Sequence, residues 1–176
     1  MTRIYIPLIL FSFLVLEGVA LELLPHSLVN QKLDIVPHWI FMLLVLVAIF
    51  YDREHTHISI IYAAVFGLLI DVVYTGILGV YMFTYAGAIF IVKGLSRILQ
   101  SNLLSIILFS SIGLIIADIS IQLIYFVIGL VHIEWKVYFM VRLLPTILAN
   151  IIFLIICYPF MVRGLTNWKN RIHEDL

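Results

Sequence analysis

Six long apolar runs, separated by short polar stretches, make up most of the chain. A helix that crosses the hydrocarbon core of a bilayer needs roughly 20 mostly apolar residues, with a range of about 17–25. The pattern therefore predicts an all-α, polytopic membrane helix bundle that forms a single transmembrane domain (1–176), with six spans favoured and five as the alternative. The predicted spans are residues 4–24, 35–51, 58–74, 77–92, 103–131 and 137–162.

Two of the predicted spans have unusual lengths. Run 103–131 would reach about 43 Å at ~1.5 Å rise per residue, so it must tilt, break or extend beyond the membrane. Run 77–92 is short and contains Gly79 and Gly87, which favours a short or bent helix. The first run also has features of a secretory signal, but we expect an uncleaved first helix because further spans follow.

The composition indicates a membrane protein and excludes several functional classes. Hydrophobic residues make up 64% of the chain and charged residues 11%, whereas soluble domains average roughly 45–50% and about 25%. Ten basic residues balance ten acidic ones, so no basic field attracts nucleic acid. The sequence contains no phosphate-binding loop, zinc-protease motif or hydrolase nucleophile motif. We therefore expect no enzymatic activity, no metal and no cofactor.

Basic residues set the expected orientation, because cytoplasmic loops collect Lys and Arg. With the N-terminus inside, the outer loops hold Lys32 and Lys136, while Arg142 lies in the sixth predicted span. Both termini are therefore predicted to be cytoplasmic. The inner segments then hold seven basic residues, which are Arg3, Arg53, Lys93, Arg97, Arg163, Lys169 and Arg171.

Charged residues within the predicted spans carry most of the functional information. A charge at the bilayer centre costs roughly 2.5–3.5 kcal/mol on the insertion scale, so we expect these side chains in the bundle interior, mostly in its outer half. Asp71 is the natural partner of Arg142, with Asp118 and Glu17 as alternatives. Such a cluster either fixes helix packing or lines a cavity for an ion, proton or ligand. The five residues are Glu17, Glu22, Asp71, Asp118 and Arg142.

A stripe of small residues predicts where two helices pack closely. Ser59, Ala63, Gly67 and Asp71 recur every four residues, so they share one face of the third span. Small side chains allow neighbouring helices to approach closely in a membrane. The stripe therefore places Asp71 on a packed face of the bundle.

Two further features concern breaks between and within the spans. Pro145 lacks an N–H group, so it frees a backbone carbonyl and can kink the sixth helix. Thr146 and Asn150 lie within reach of that break.

The polar run 52–57 contains two histidines, and we interpret it as a solvated turn because a metal site needs more ligands.

Two sequence motifs resemble those of a known family. Residues 67–71 (GLLID) followed by 78–83 (LGVYMF) resemble the G-x-x-x-D…L-G motif of the rod shape-determining protein MreD family. Residues 142–150 (RLLPTILAN) resemble the family's R-x-x-P-T-I-L-x-N stretch. The two motifs occur in the family's order and spacing, and the resemblance covers nearly the whole chain. It is closest to the forms found in Bacillus-like bacteria.

The resemblance implies a function that composition alone does not give. It implies a non-enzymatic component of the bacterial rod complex, or elongasome, which binds MreC and works beside MreB, RodA and a class B penicillin-binding protein. The resemblance also implies a fold similar to the S components of energy-coupling-factor transporters. The alternative function is therefore a substrate-binding subunit for uptake of a small molecule such as a vitamin. An outward pocket with converging polar groups would favour the alternative.

Overall fold

The computed structural model describes residues 4–23, 33–52, 56–97, 102–132 and 134–174. Within these ranges the regular structure is entirely helical and forms six helices. Three of the helices include a π-helical segment, which is a locally wider turn. The helices are α1 (Tyr5–Leu23), α2 (Trp39–Tyr51), α3 (Ile58–Thr75), α4 (Val80–Ser96), α5 (Leu103–Val127) and α6 (135–174).

The predicted all-α membrane bundle is confirmed, and the helix lengths fit a membrane. In the described part of the chain, α3, α5 and the portion of α6 from Trp135 to Trp168 are each long and apolar enough to cross a bilayer alone. The apolar stretches of α1, α2 and α4 are shorter. The 25 residues of α5 form one unbroken helix, about 37 Å long at ~1.5 Å per residue. This segment therefore does not break, and it ends before the predicted boundary.

The start of the predicted second span is wrong. The apolar pattern began this span at residue 35, but α2 begins at Trp39 and the residues before it are not helical. Pro37 explains the difference, because it has no N–H group to donate and it holds the preceding residue in an extended conformation. An extended segment, 33–38, therefore leads into α2.

Two other boundaries also differ from the prediction. The fourth span was predicted to begin at residue 77, but residues 76–79 form a turn in which Gly76 and Gly79 have positive φ angles of 69° and 98°. The sixth span was predicted to end at residue 162, but α6 continues to Glu174, with Pro159 inside it. The polar C-terminal region is thus largely a continuation of the last helix.

Helix α2 lies at the centre of the bundle and contacts all five other helices. Every residue from Ile40 to Leu46 is fully buried. A helix that is apolar on all sides needs burial on all sides, and the run from Trp39 to Leu46 is such a helix. The remaining helices surround it, so residues that fix α2 also fix the bundle.

Helices α3 and α4 meet at the predicted stripe of small residues. Ser59, Ala63 and Gly67 are all buried. A Cβ atom at Gly67 would lie 2.6 Å from the carbonyl oxygen of Tyr81 and 2.8 Å from the backbone of Met82. Only a residue without a side chain allows the backbone of α3 to come this close to the first turn of α4.

The outer surface of the bundle is strongly apolar, while polar side chains lie inside. Phe83, Phe90, Leu104 and Phe160 are each at least 64% exposed. In contrast, Asp71, Asp118 and Asn150 are completely buried. This inverted distribution is stable when the surrounding solvent is lipid rather than water.

We predict that Gly67→Ala destabilises the folded protein by about 1–3 kcal/mol, the usual cost of overpacking. The matched control is Gly87→Ala in α4, where an added Cβ would have no heavy atom within 4 Å. This control should be neutral or slightly stabilising, because Ala has the higher helix propensity. Unfolding of the purified variants in mixed detergent micelles measures both effects. Equal stability of the two variants would contradict the close packing of α3 against α4.

Candidate functional site

The polar residues within the spans gather at one end of the bundle. At this end, which we call the Asp118 end, α1, α3 and α5 finish and α2, α4 and α6 begin. Glu17, Asp71, Asp118 and Asn150 are all buried there, and the side chain of Arg142 is 20% exposed. The side chain of Glu22, the fifth charged residue within a predicted span, lies outside the described residues.

Asp71 holds the beginning of the next helix in the chain. Its carboxylate accepts backbone N–H hydrogen bonds from Gly79 at 2.9 Å, Tyr81 at 2.9 Å and Met82 at 3.2 Å. The first N–H groups of an α-helix have no partner within the helix, and lipid offers no water to replace one. A negative charge at this position also interacts favourably with the helix dipole. Asp71 therefore caps α4 from a neighbouring helix.

This geometry gives the first motif a physical meaning. Gly67 allows α3 to approach α4, and Asp71 then lies close enough to cap it. Gly79 has a φ of 98°, in the left-handed region that favours glycine. It turns the chain so that its own N–H group points at Asp71. The three residues of the motif thus form the junction between α3 and α4.

The predicted ion pair between Asp71 and Arg142 is wrong. The carboxylate of Asp71 is engaged by the backbone of α4, which lies directly beside it. Arg142 instead donates to Asp34 at 2.8 Å through Nη1 and approaches Asp118 at 3.5 Å through Nη2. Asp118, named among the alternatives, is therefore one partner, and Asp34 was not predicted.

Glu17 has a capping role similar to that of Asp71. Its Oε2 accepts a backbone N–H bond of 3.0 Å from Ile40, in the first turn of α2. The carboxylate comes from α1 and is buried. Two of the acids within the spans are therefore placed at the N-termini of the helices that follow them.

The second motif holds the extended segment 33–38 against α6. Arg142, Thr146 and Asn150 recur every four residues, so they lie on one face of this helix. The backbone N–H of Val36 donates to Thr146 Oγ1 at 3.1 Å, and Asn150 Nδ2 donates to the carbonyl of Val36 at 2.9 Å. The N–H of His38 donates to Asn150 Oδ1 at 2.7 Å. Side chains of α6 thus satisfy backbone that lies outside any helix.

Pro145 contributes to the same contact through its backbone. In an α-helix the N–H of residue 145 would bond to the carbonyl of Val141, but proline has no N–H. The Val141 carbonyl instead accepts the backbone N–H of Asp34 at 2.9 Å. The predicted free carbonyl is therefore present, and the extended segment uses it. A π-helical segment, Tyr138–Leu143, directly precedes the proline region.

Asp118 joins four helices through a buried polar cluster. Tyr138 donates its hydroxyl to Asp118 at 2.6 Å, and His38 Nε2 lies 3.4 Å from the same carboxylate. The other ring nitrogen of His38 lies 2.7 Å from the hydroxyl of Tyr85. With Arg142, these residues link α5 to α6, α4 and the start of α2. A buried charge needs such partners, because removing it from water is costly.

Sequence reasoning missed several members of this cluster, namely His38, Tyr85, Tyr138 and Asp34. Only His38 carries a signal in the sequence, because it is a polar residue inside an apolar run and follows Pro37. Tyrosines near the ends of spans are common at membrane interfaces, so Tyr138 did not stand out.

A cavity of about 340 Å³ opens beside the cluster at the Asp118 end. Both carboxylate and guanidinium groups reach it, together with an imidazole, an amide and a phenol. Two of its lining residues, Arg142 and Tyr138, contact the buried Asp118. The lining residues are Asp34, Gln122, His132, Glu134, Val137, Tyr138, Val141 and Arg142.

The opposite end of the bundle carries a second, smaller polar cluster. Asp52 is 6% exposed, so the interpretation of its run as a solvated turn is wrong at this residue. It pairs with Lys93 at 2.7 Å and accepts bonds from the Ser59 hydroxyl at 2.6 Å, the Ser59 N–H at 3.1 Å and the Thr56 hydroxyl. Burial acts to raise the pKa of Asp52, but the hydrogen bonds from Lys93, Ser59 and Thr56 outweigh it and hold this pKa below its ordinary value.

The described residues hold no group of three or more metal-binding side chains.

Comparison with known proteins decides the family. The sequence model of the rod shape-determining protein MreD family matches residues 2–167. The chain belongs to the MreD family. Its relatives include the rod shape-determining protein MreD of Bacillus subtilis (strain 168), which is 27% identical over 167 residues, 91% of this chain and 92% of the relative.

Membership of the MreD family agrees with the resemblance seen in the two motifs. The family is one of rod shape-determining proteins, so the chain is involved in determining rod shape, and its apolar helices fit a membrane location. No solved structure matches the chain. The expected likeness to the S components of transporters therefore stays a prediction.

We predict that Asp71→Ala and Arg142→Ala each destabilise the protein and that their effects add. Residues without a shared partner are usually additive within about 0.3–0.5 kcal/mol. The matched cycle, Asp118→Ala with Arg142→Ala, should show a coupling of about 0.5–3 kcal/mol, because these two residues interact. Unfolding free energies in mixed micelles give both cycles. A strong coupling of Asp71 to Arg142, or none for Asp118, would contradict the assigned contacts.

Proposed function

We propose that this protein is a non-enzymatic membrane component of the rod complex that binds MreC. Through this contact it helps to organise peptidoglycan synthesis beside MreB, RodA and a class B penicillin-binding protein. Membership of the MreD family supports the proposal. The specific partners come from the resemblance of the two motifs to that family.

The observation that carries the non-enzymatic part is the occupation of the buried carboxylates. Glu17 and Asp71 accept backbone N–H groups at the starts of α2 and α4. Asp118 is held by Tyr138 and lies beside His38 and Arg142. These acids stabilise helix junctions, so the bundle functions as a rigid body that positions other proteins.

The lipid-facing surface is the natural place for a partner helix. Short connections leave little surface outside the membrane, and helices in lipid associate through close packing rather than through a hydrophobic gain. On the outer side of α4, Cβ atoms added at Gly87 and Gly94 would meet no heavy atom within 4 Å. A single-span partner such as MreC can pack closely against a side of this kind.

The proposed orientation places both termini in the cytoplasm and the Asp118 end outside. The bias of basic residues supports this orientation, and Lys93, one of the seven residues in that bias, lies at the end opposite Asp118. The cavity then opens on the side of the membrane where peptidoglycan is assembled.

The cavity also favours a second candidate function, a substrate-binding subunit for small-molecule uptake. An outward pocket with converging polar groups is the feature expected of such a subunit, and about 340 Å³ is enough for a small ligand. The two functions differ in what copurifies with the protein: MreC in one case, and a small molecule with a transporter partner in the other.

We predict that tagged protein, expressed at its natural level in a host that has lost its rod shape through deletion of its own MreD, restores rod shape and copurifies with MreC. Tryptophan substitutions at Gly87 and Gly94 should leave the amount of protein unchanged, because these positions face outward. At least one of them should reduce MreC capture and widen the cells, because the proposed contact lies on this side of α4. Leu104→Trp, at a position of α5 that is 80% exposed, serves as the matched substitution on another outward face.

Two results would contradict the proposal. One is restored rod shape without any MreC in the purified material. The other is a transporter partner and a vitamin-like molecule copurifying in place of MreC, which would support the uptake function instead. Western blotting and mass spectrometry of the same preparation separate these outcomes.

A further inference from the structure

The cavity at the Asp118 end has chemistry that the proposed function does not use. Its volume of about 340 Å³ lies within the range of about 300–1,000 Å³ for small-ligand pockets. The carboxylates of Asp34 and Glu134 line it together with the guanidinium of Arg142. Asp34 is 57% exposed at its side chain, so a group that enters the cavity can reach it.

The charges of the cavity favour a cation. Arg142 already interacts with two carboxylates, Asp34 at 2.8 Å and Asp118 at 3.5 Å. Glu134 adds a further carboxylate to the lining. Among the lining residues the two carboxylates, Asp34 and Glu134, therefore outnumber the one guanidinium, Arg142. An anion would meet this excess, whereas a cation would reduce it.

The walls of the cavity favour a cation on an aliphatic stem. Val137 and Val141 supply methyl groups, and Tyr138 supplies an aromatic ring. Methylene groups pack well on such surfaces while a charged head stays in a polar region. The face of an aromatic ring also attracts a cation within about 6 Å.

We propose that this cavity binds a primary ammonium or guanidinium group carried on a short aliphatic stem. Asp34 and Glu134 accept its hydrogen bonds, and Tyr138 and the two valines contact the stem. The same chemistry is present in a free small amine and in a Lys or Arg side chain of a partner protein. The inference does not depend on MreC binding, because the cavity chemistry is the same for either source.

The test uses the complete protein in phosphatidylcholine nanodiscs and the indole N–H signals of its three tryptophans in nitrogen-15 spectra. Trp135 reports on the cavity, since its ring centroid lies 6.1 Å from that of Tyr138. The internal controls, Trp39 and Trp168, stack on rings elsewhere, on Phe153 and Tyr5. Butylammonium and butylguanidinium should shift the Trp135 signal saturably. Butyrate and 1-butanol, of the same length, should not.

Two charge variants test the assigned acceptor. Glu134→Gln should weaken butylammonium binding about three- to tenfold, where tenfold corresponds to ~1.4 kcal/mol. Lys136→Gln removes a nearby exposed cation that does not line the cavity, so binding should be unchanged or tighter. Equal shifts by butanol or butyrate, or an unchanged affinity in Glu134→Gln, would overturn the proposal.

A photoreactive residue in place of Gln122 identifies the source in cells. If the crosslinked peptide of a captured protein contains Lys or Arg at the site of attachment, and the crosslink is lost in Glu134→Gln, the bound group is a side chain of a partner protein. A small amine found by native mass spectrometry of the extracted protein supports a free cation. A protein that yields neither adduct nor amine from native membranes has no such occupant, and the proposal is then wrong.

Discussion

The backbone N–H groups at the helix starts are the constraint on which the rest of this structure depends. In water these groups find solvent, but lipid supplies no acceptor, so each one must be satisfied within the protein. Glu17 does this for α2, Asp71 for α4 and Asn102 for α5, where it accepts the N–H of Ser105 at 2.8 Å. Asp52 does the same for α3. The acids are costly in a membrane because they are charged, yet that charge is what complements a helix N-terminus.

The same constraint explains the extended segment before α2. Non-helical backbone at membrane depth is tolerated where protein surrounds it, and here α6 provides the surrounding groups. The carbonyl freed by Pro145 binds the backbone of Asp34, and Thr146 and Asn150 bind the backbone at every second residue after it, up to residue 38. Because α2 lies at the centre of the bundle, these bonds fix the element that every other helix contacts. A motif that reads as a proline break in one helix is therefore a docking site for another part of the chain.

The sequence was informative where a local feature of the chain determines the structure. Apolar runs indicated the helices, the four-residue spacing of Ser59, Ala63 and Gly67 indicated the packed face, and Pro145 indicated the free carbonyl. Boundaries failed at Pro37 and Gly79, where single residues redirect the chain within an apolar run. Pairings failed for a different reason. Asp34 and Arg142 are 108 positions apart, and no local pattern says which acid meets which cation. The capping role of Asp71 was also hidden. The donors to its carboxylate are backbone N–H groups, which every residue except proline carries.

Amide hydrogen exchange at the start of α4 tests most directly whether a buried acid holds a helix end. The measurement compares the N–H groups of Tyr81 and Met82 in the native protein and in Asp71→Ala, both in nanodiscs. The account predicts that these groups are protected in the native protein and exchange much faster in the variant. Ile89 and Val92, deeper in the same helix, should remain protected in both. Unchanged protection of Tyr81 and Met82 in the variant would contradict the account.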